Sequence, residues 1–326
     1  MEAIILREFG TPDSLRLESW LNPAPRPGWV TVELRASALN WHDVLVRRGQ
    51  YDSPLPHVIG ADGAGVRTDT GEEVIIVPSI FWGDNPRAPG KDWQILGDYT
   101  PGTYAELVSV PEGCVVPRPK GLSWDESAAL PLVGLTTFRA LFTRANLAAG
   151  ESLLVLGASG GVATAAVSFA SAVGATVVVT SSSQTKIDRS CELGAHDGVV
   201  YSDHDWVESA RKLTPGGRGF DVVLDPVGMW KESLEALRPG GRVVVLGASE
   251  RHEASIDVRS FYFAQYDLLG TTMGNLEDFA GLLAFLDAHE VGPPVIDRTY
   301  ALSDAALAHA RLESGEGMGK IILRTS

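Results

Sequence analysis

Residues 39 to 51 read LNWHDVLVRRGQY and bring Asn40, His42, Asp43 and Tyr51 close together in the chain. These types could ligate a metal, pass a proton, or decorate a solvated turn. An imidazole can hold and release a proton near neutral pH, and a phenol can donate a hydrogen bond to a developing oxyanion. The other chemistry-bearing stretch is LLVLGASGGVATAAVSFASAVGA, a buried strand, a glycine turn and a helix of small residues. Free amides at a helix N-terminus behind a tight glycine turn form a pyrophosphate cradle. Against the G-x-G-x-x-G template the aligned residues are Ala158, Gly160 and Ala163. The middle glycine, which lets phosphate reach the backbone, is kept, and alanine is tolerated at the last place.

The next apolar run decides which dinucleotide fits. An NAD site usually ends its second strand on a carboxylate that holds the ribose 2′-hydroxyl. Here that strand ends in Thr180-Ser181-Ser182-Ser183, Lys186 follows, and no acid occurs before Asp188. Hydroxyls and a cation suit a 2′-phosphate, so NADPH is expected over NADH.

The elements that must position these groups divide into two patterns. MEAIIL, WVTVELRAS, EEVIIVP and YAELVSVP are short β segments between Pro- and Gly-rich loops, an antiparallel or barrel-like half. Residues 78 to 102 form a long polar connection carrying Phe81, Trp82 and Trp93, which either wall a planar apolar substrate or anchor the loop. SWDESAALPLVGLTTFRALFTRA predicts a helix capped by Ser123 with Glu126 three residues on, interrupted at Pro131 and Gly134. ESLLVLG, ATVVVTS, GVVYS, FDVVLDPVG, GRVVVLGAS and YDLLGTTM then alternate with helical stretches. Such Val- and Leu-rich runs indicate an α/β fold with a six-stranded, doubly wound parallel sheet of Rossmann type. NLEDFAGLLAFLDAHEV, VIDRTYAL, a helix from Ser303 and GKIILR close the chain with mixed character. The expected division is 1–122, 123–270 for the nucleotide domain, and 271–326 rejoining the first.

Composition narrows the class. A chain of 326 residues exceeds the roughly 250 to 300 at which single cores stop growing, so two domains are the default. A net charge of -14 without a basic patch argues against nucleic acid and anionic lipid as partners. No apolar run reaches the ~18 residues of a bilayer span, and MEAIILREFG does not read as a signal peptide. Two cysteines, Cys114 and Cys191, supply neither a disulfide framework nor a four-thiolate zinc site, and a cytoplasmic location is expected.

EFGTPDSLRLE, ALNWHD, IGADGAG, GTYAELVSVP, AALPLVGLTTFRALF, VLGASGGVATAAVSFA, LDPVG, LRPGGRVVVLG and GKIILR occur in an order that resembles the medium-chain dehydrogenase/reductase superfamily, in its zinc-free quinone oxidoreductase-like branch. The likeness runs over essentially the full length. It implies a GroES-like β-barrel-type catalytic domain interrupted by the nucleotide domain, an active site in the cleft between them, and a homodimer formed through the edge strand YDLLGTTM. NADPH would then contact Gly157, Ala158, Ser159, Gly160, Gly161 and Val162. Ser182, Lys186 and Tyr201 would face its 2′-phosphate, and Leu246, Gly247, Ala248 and Thr137 its nicotinamide. Lys320 is a further cofactor candidate.

Zinc-dependent relatives hold a catalytic metal at the positions of Asn40, Ala61 and Val133, with an acid at Asp62. Alanine and valine cannot bind zinc, and residues 78–102 contain neither Cys nor His, so no metal is expected. The implied reaction is hydride transfer from NADPH to a quinone or α,β-unsaturated carbonyl. Tyr51 matches a tyrosine of the enoyl reductases, His42 replaces a proton-relaying Ser or Thr, and Asn40 would orient substrate or nicotinamide ribose. A metal-free aldehyde or ketone reductase, or a non-catalytic NADPH sensor, is the alternative.

Overall fold

The computed structural model describes residues 1–248 and 251–325. Contacts divide the chain into one unit of residues 1–135, 274–283 and 293–326, and a second of residues 136–273 and 284–292. The division falls later than 122/123. The reason is that the helix Trp124–Ala129 packs on the strands Trp29–Ala38 and Asp62–Arg67 of the first unit.

The first unit is built around Trp29–Ala38. Its sequence WVTVELRASA alternates, and Val30, Val32, Leu34 and Ala36 turn inward. This strand lies antiparallel to Asp62–Arg67, to Leu107–Pro111 and to the C-terminal strand Lys320–Arg324 within a seven-stranded sheet. Asp62–Arg67, sequence DGAGVR, carries no β-branched run and is not foreseen from the sequence. It is a strand because glycine lets the backbones meet: a Cβ on Gly65 would lie 2.1 Å from the Glu33 carbonyl oxygen. A smaller sheet sets Glu2–Leu6 between Leu15–Ser19 and His57–Val58.

Ser123 and Glu126 form the expected capping box, with the Glu126 carboxylate 2.7 Å from the Ser123 amide. Pro131 opens a new helix, Pro131–Phe138, which continues as a π-helical turn, Arg139–Arg144. Gly134 does not interrupt it. A Cβ there would lie 2.9 Å from Leu130 and 3.0 Å from Leu282, so this glycine serves close packing.

The second unit holds six parallel strands. Across the sheet they run Asp197–Val200, Thr176–Ser181, Ser152–Val155, Phe220–Asp225, Leu237–Val245 and Asp267–Gly270. The order reverses beside the central Ser152–Val155, the place at which open α/β sheets bind ligands beyond their carboxyl ends. Leu154, Val178, Val223 and Val243 fill the layers between sheet and helices. Asp267–Gly270 stands at the sheet edge. Among the described residues no helix is long and apolar enough to cross a membrane.

Candidate active site

Asn40 caps the helix Trp41–Arg47, whose first turn carries His42 and Asp43. The Asn40 amide nitrogen donates to Asp43 Oδ2 at 2.9 Å. Its side chain is held at both ends: Nδ2 donates to Asp62 Oδ2 at 2.9 Å, and Oδ1 accepts from Lys320 Nζ at 2.5 Å. Lys320 also donates to the Leu39 carbonyl at 2.7 Å and to Asp62 Oδ2 at 2.9 Å. Asp62 Oδ1 accepts the Leu132 amide at 2.8 Å. Asp62 is 0 % exposed and Lys320 4 %.

An ammonium has three protons, and those of Lys320 are met by three oxygens inside the unit. Lys320 is therefore an internal counter-ion and not a cation held out for a cofactor. Asn40, with both amide ends engaged, positions the helix instead of presenting a free amide to substrate.

His42 and Tyr51 pack edge to face with ring centroids 4.7 Å apart. His42 Nε2 lies 2.6 Å from Asp98 Oδ1. Both residues are buried, 9 % and 5 % exposed, and neither atom has another partner among the described residues. The two atoms stand at ion-pair distance without forming a directed hydrogen bond. Burial, then the Asp98 carboxylate, push the Tyr51 phenol above its ordinary pKa. Tyr51 is thereby kept protonated, a hydrogen-bond donor. Asp98 was missed in the sequence because its importance depends on a partner far along the chain.

The 78–102 segment delivers Asp98. Its paired strands are only Ser79–Ile80 and Gln94–Ile95. Trp82 donates to the Asn85 carbonyl at 2.9 Å, Trp93 to Ser79 Oγ at 2.9 Å, and the two indoles pack edge to face. These tryptophans anchor the loop; Phe81 is partly exposed and lies 6.1 Å from the Trp29 ring.

Behind His42 runs a buried chain of donors. Arg47 Nη1 meets His309 Nδ1 at 3.4 Å, and arginine can only donate, so the His309 proton sits on Nε2. That nitrogen meets Tyr104 Oη at 3.2 Å, and Tyr104 donates to Asp43 Oδ2 at 3.0 Å. Burial, then the Arg47 charge, push His309 down to about 3. Burial raises Asp43 to about 6 despite the nearby His42 and Lys320. The chain ties the helix of His42 to the helix Ala305–Ser314, whose Glu313 accepts Arg47 at 2.7 Å. Sequence spacing gives no hint of it.

In the second unit, Gly157 takes a φ of +99°, and Gly160 caps the helix Gly161–Ala172. A Cβ built on either would meet nothing within 4 Å. The first amides of a helix have no intrahelical acceptor, so a ligand phosphate has both room and donors here. Ala158 is buried, while Ser159, Gly161 and Val162 are half-buried around the turn.

Ser182 follows Thr176–Ser181, Lys186 lies in the first turn of Gln184–Glu192, and the exposed Tyr201 donates its amide to the Ser181 carbonyl at 3.0 Å. These three share the carboxyl ends of neighbouring strands. Thr137 is buried with a hydroxyl that has no partner among the described residues. One expectation changes: the Leu246 amide donates to the Asp225 carbonyl at 3.1 Å and is spent in the sheet, leaving Gly247 and Ala248 as the amides to offer. These glycine and hydroxyl positions fit a dinucleotide.

Residues 26–120 match the alcohol dehydrogenase GroES-like domain, and residues 161–288 match the zinc-binding dehydrogenase domain. The chain is 32 % identical to the quinone oxidoreductase of Rattus norvegicus, over 99 % of this chain and 97 % of that protein. The chain belongs to the medium-chain dehydrogenase/reductase superfamily, in its quinone oxidoreductase-like branch. It is also 30 % identical to the zinc-type alcohol dehydrogenase-like protein YogA of Leptosphaeria maculans, over 95 % of this chain and 94 % of that protein. The crystal structure of an NAD-dependent alcohol dehydrogenase superposes with a TM-score of 0.94 at 35 % identity, covering 100 % of both chains. As a medium-chain oxidoreductase the protein uses a nicotinamide cofactor and small-molecule substrates.

Membership raises the question of zinc, and the donor set does not fit it. Ala61 and Val133 offer carbon, and Asn40 Oδ1 and Asp62 Oδ2 are both occupied by the Lys320 ammonium. Among the described residues no three His, Cys, Asp or Glu side chains converge as a metal site.

Proposed function

We propose that the protein is a zinc-independent, NADPH-dependent oxidoreductase that reduces a quinone or an α,β-unsaturated carbonyl compound. The observation that carries the reading is that the helix Trp41–Arg47 sets His42 against Tyr51 and Asp98, while a lysine takes up the donors a metal would need. When bound, the nicotinamide supplies the hydride. Charge then develops on the substrate oxygen and must be met by the chain itself. Tyr51, kept protonated, is suited to hydrogen-bond that oxygen, and Asn40 with Asp43 holds the helix that presents His42. Likeness to quinone oxidoreductases supports the acceptor class.

Ser182, Lys186 and Tyr201 support NADPH, although a close structural relative is described as NAD-dependent. The edge strand Asp267–Gly270 supports pairing with a second copy, and the free thiols Cys114 and Cys191 suit a reducing cytoplasm.

The test is nicotinamide absorbance with NADPH and with NADH, each against a benzoquinone, an enone and a saturated aldehyde. Oxidation of NADPH by the quinone or enone is the expected result. Turnover of the saturated aldehyde alone would favour the carbonyl reductase alternative, and tight NADPH binding without turnover would favour a sensor.

A further inference from the structure

We propose that Asp98 is a positioning residue that makes His42 the proton source of the reduction, a role resting on the reductase reading above. His42 Nε2 and Asp98 Oδ1 are 2.6 Å apart, buried, and without other partners among the described residues. A carboxylate can only accept, so its approach places a proton on Nε2 and leaves Nδ1 as the nitrogen able to exchange one with substrate. The arrangement, an aspartate behind an imidazole, fixes both ring orientation and the site of protonation. Tyr51 stacks edge-on against the same ring, and its phenol, raised by burial and by Asp98, is a better hydrogen-bond donor than proton source.

The step is a proton transfer. The Nδ1–H bond of the imidazolium breaks, its electron pair stays on the ring, and the proton joins the substrate oxygen made anionic by hydride delivery. His42 is left neutral with Nε2–H beside the Asp98 carboxylate, and water restores the lost proton. The 78–102 segment, pinned by Trp82 and Trp93, thus carries a working side chain.

Two readouts decide it. In NADPH-dependent reduction of a benzoquinone, His42→Asn should lower kcat about 100-fold or more, in the range of a lost general acid, and Asp98→Asn about tenfold. In the double variant Asp98→Asn should add nothing, and Asp98→Glu should restore most of the rate. Losses that multiply would overturn the proposal. The second readout, ¹⁵N resonances of the His42 ring, needs no turnover and no variant. The wild-type ring should carry its proton on Nε2, and a bare Nε2 would sink the proposal. Failure of every acceptor would defeat the reductase reading, while the ring spectrum would still decide the pairing.

Discussion

Replacing Gly160 by valine should leave the protein folded and remove its dinucleotide binding. The fold tolerates the change because Gly160 has an ordinary extended backbone, φ -69° and ψ 162°, and a Cβ there meets nothing within 4 Å. The same empty space is what a pyrophosphate would enter to reach the first amides of Gly161–Ala172. A branched side chain fills it. NADPH affinity measured by fluorescence titration should fall at least about 100-fold, comparable to losing several charge-assisted hydrogen bonds, with the circular dichroism spectrum unchanged. In the same titration Lys186→Ala should weaken NADPH far more than NADH, because only NADPH carries the 2′-phosphate. Equal losses for both nucleotides would refute the assignment of Lys186.

The second large effect concerns stability. Lys320→Met should destabilise the protein by about 3 to 5 kcal/mol, the usual cost of stranding a buried charge by removing its partner. Asp62 would be left fully buried with the Leu132 amide and the Asn40 side chain but no counter-ion. Asn40 would lose the donor on Oδ1, loosening the helix that carries His42. Adding Asp62→Asn to Lys320→Met removes the stranded charge, so the double variant should be more stable than the single one. Urea denaturation of the three proteins checks this. A Lys320→Met variant as stable as wild type would mean that the ion pair is not the anchor it is taken to be.

Much of this architecture was legible in the sequence, and the reasons are physical. Buried parallel strands read as Val- and Leu-rich runs because both of their faces are covered, so the six-stranded sheet could be recognised from ESLLVLG onward. Glycines in a strand-to-helix turn mark a backbone that must stay open, and Gly157 and Gly160 prove to stand under empty space. The strand Asp62–Arg67 escaped because its glycines and alanines are selected by close backbone approach and not by β propensity.

The site was half legible. Tyr51 and His42 sit in one short stretch, and the structure puts their rings in contact. Asp98, the Asp62–Lys320 pair and the Arg47–His309–Tyr104–Asp43 chain each join residues remote in sequence, where no local spacing can signal the partner. Lys320 shows how this misleads. The family resemblance makes Lys320 a cofactor candidate, whereas its three buried acceptors make it an internal cation.

Under the proposed function this chain reduces its substrate with its own side chains where zinc-dependent relatives use a metal. The most direct measurement is the rate of NADPH oxidation by a benzoquinone before and after exhaustive chelation, with zinc counted in the same samples by elemental analysis. An unchanged rate and far less than one zinc per chain are expected in both. One zinc per chain whose removal abolishes the rate, and whose return restores it, would contradict it.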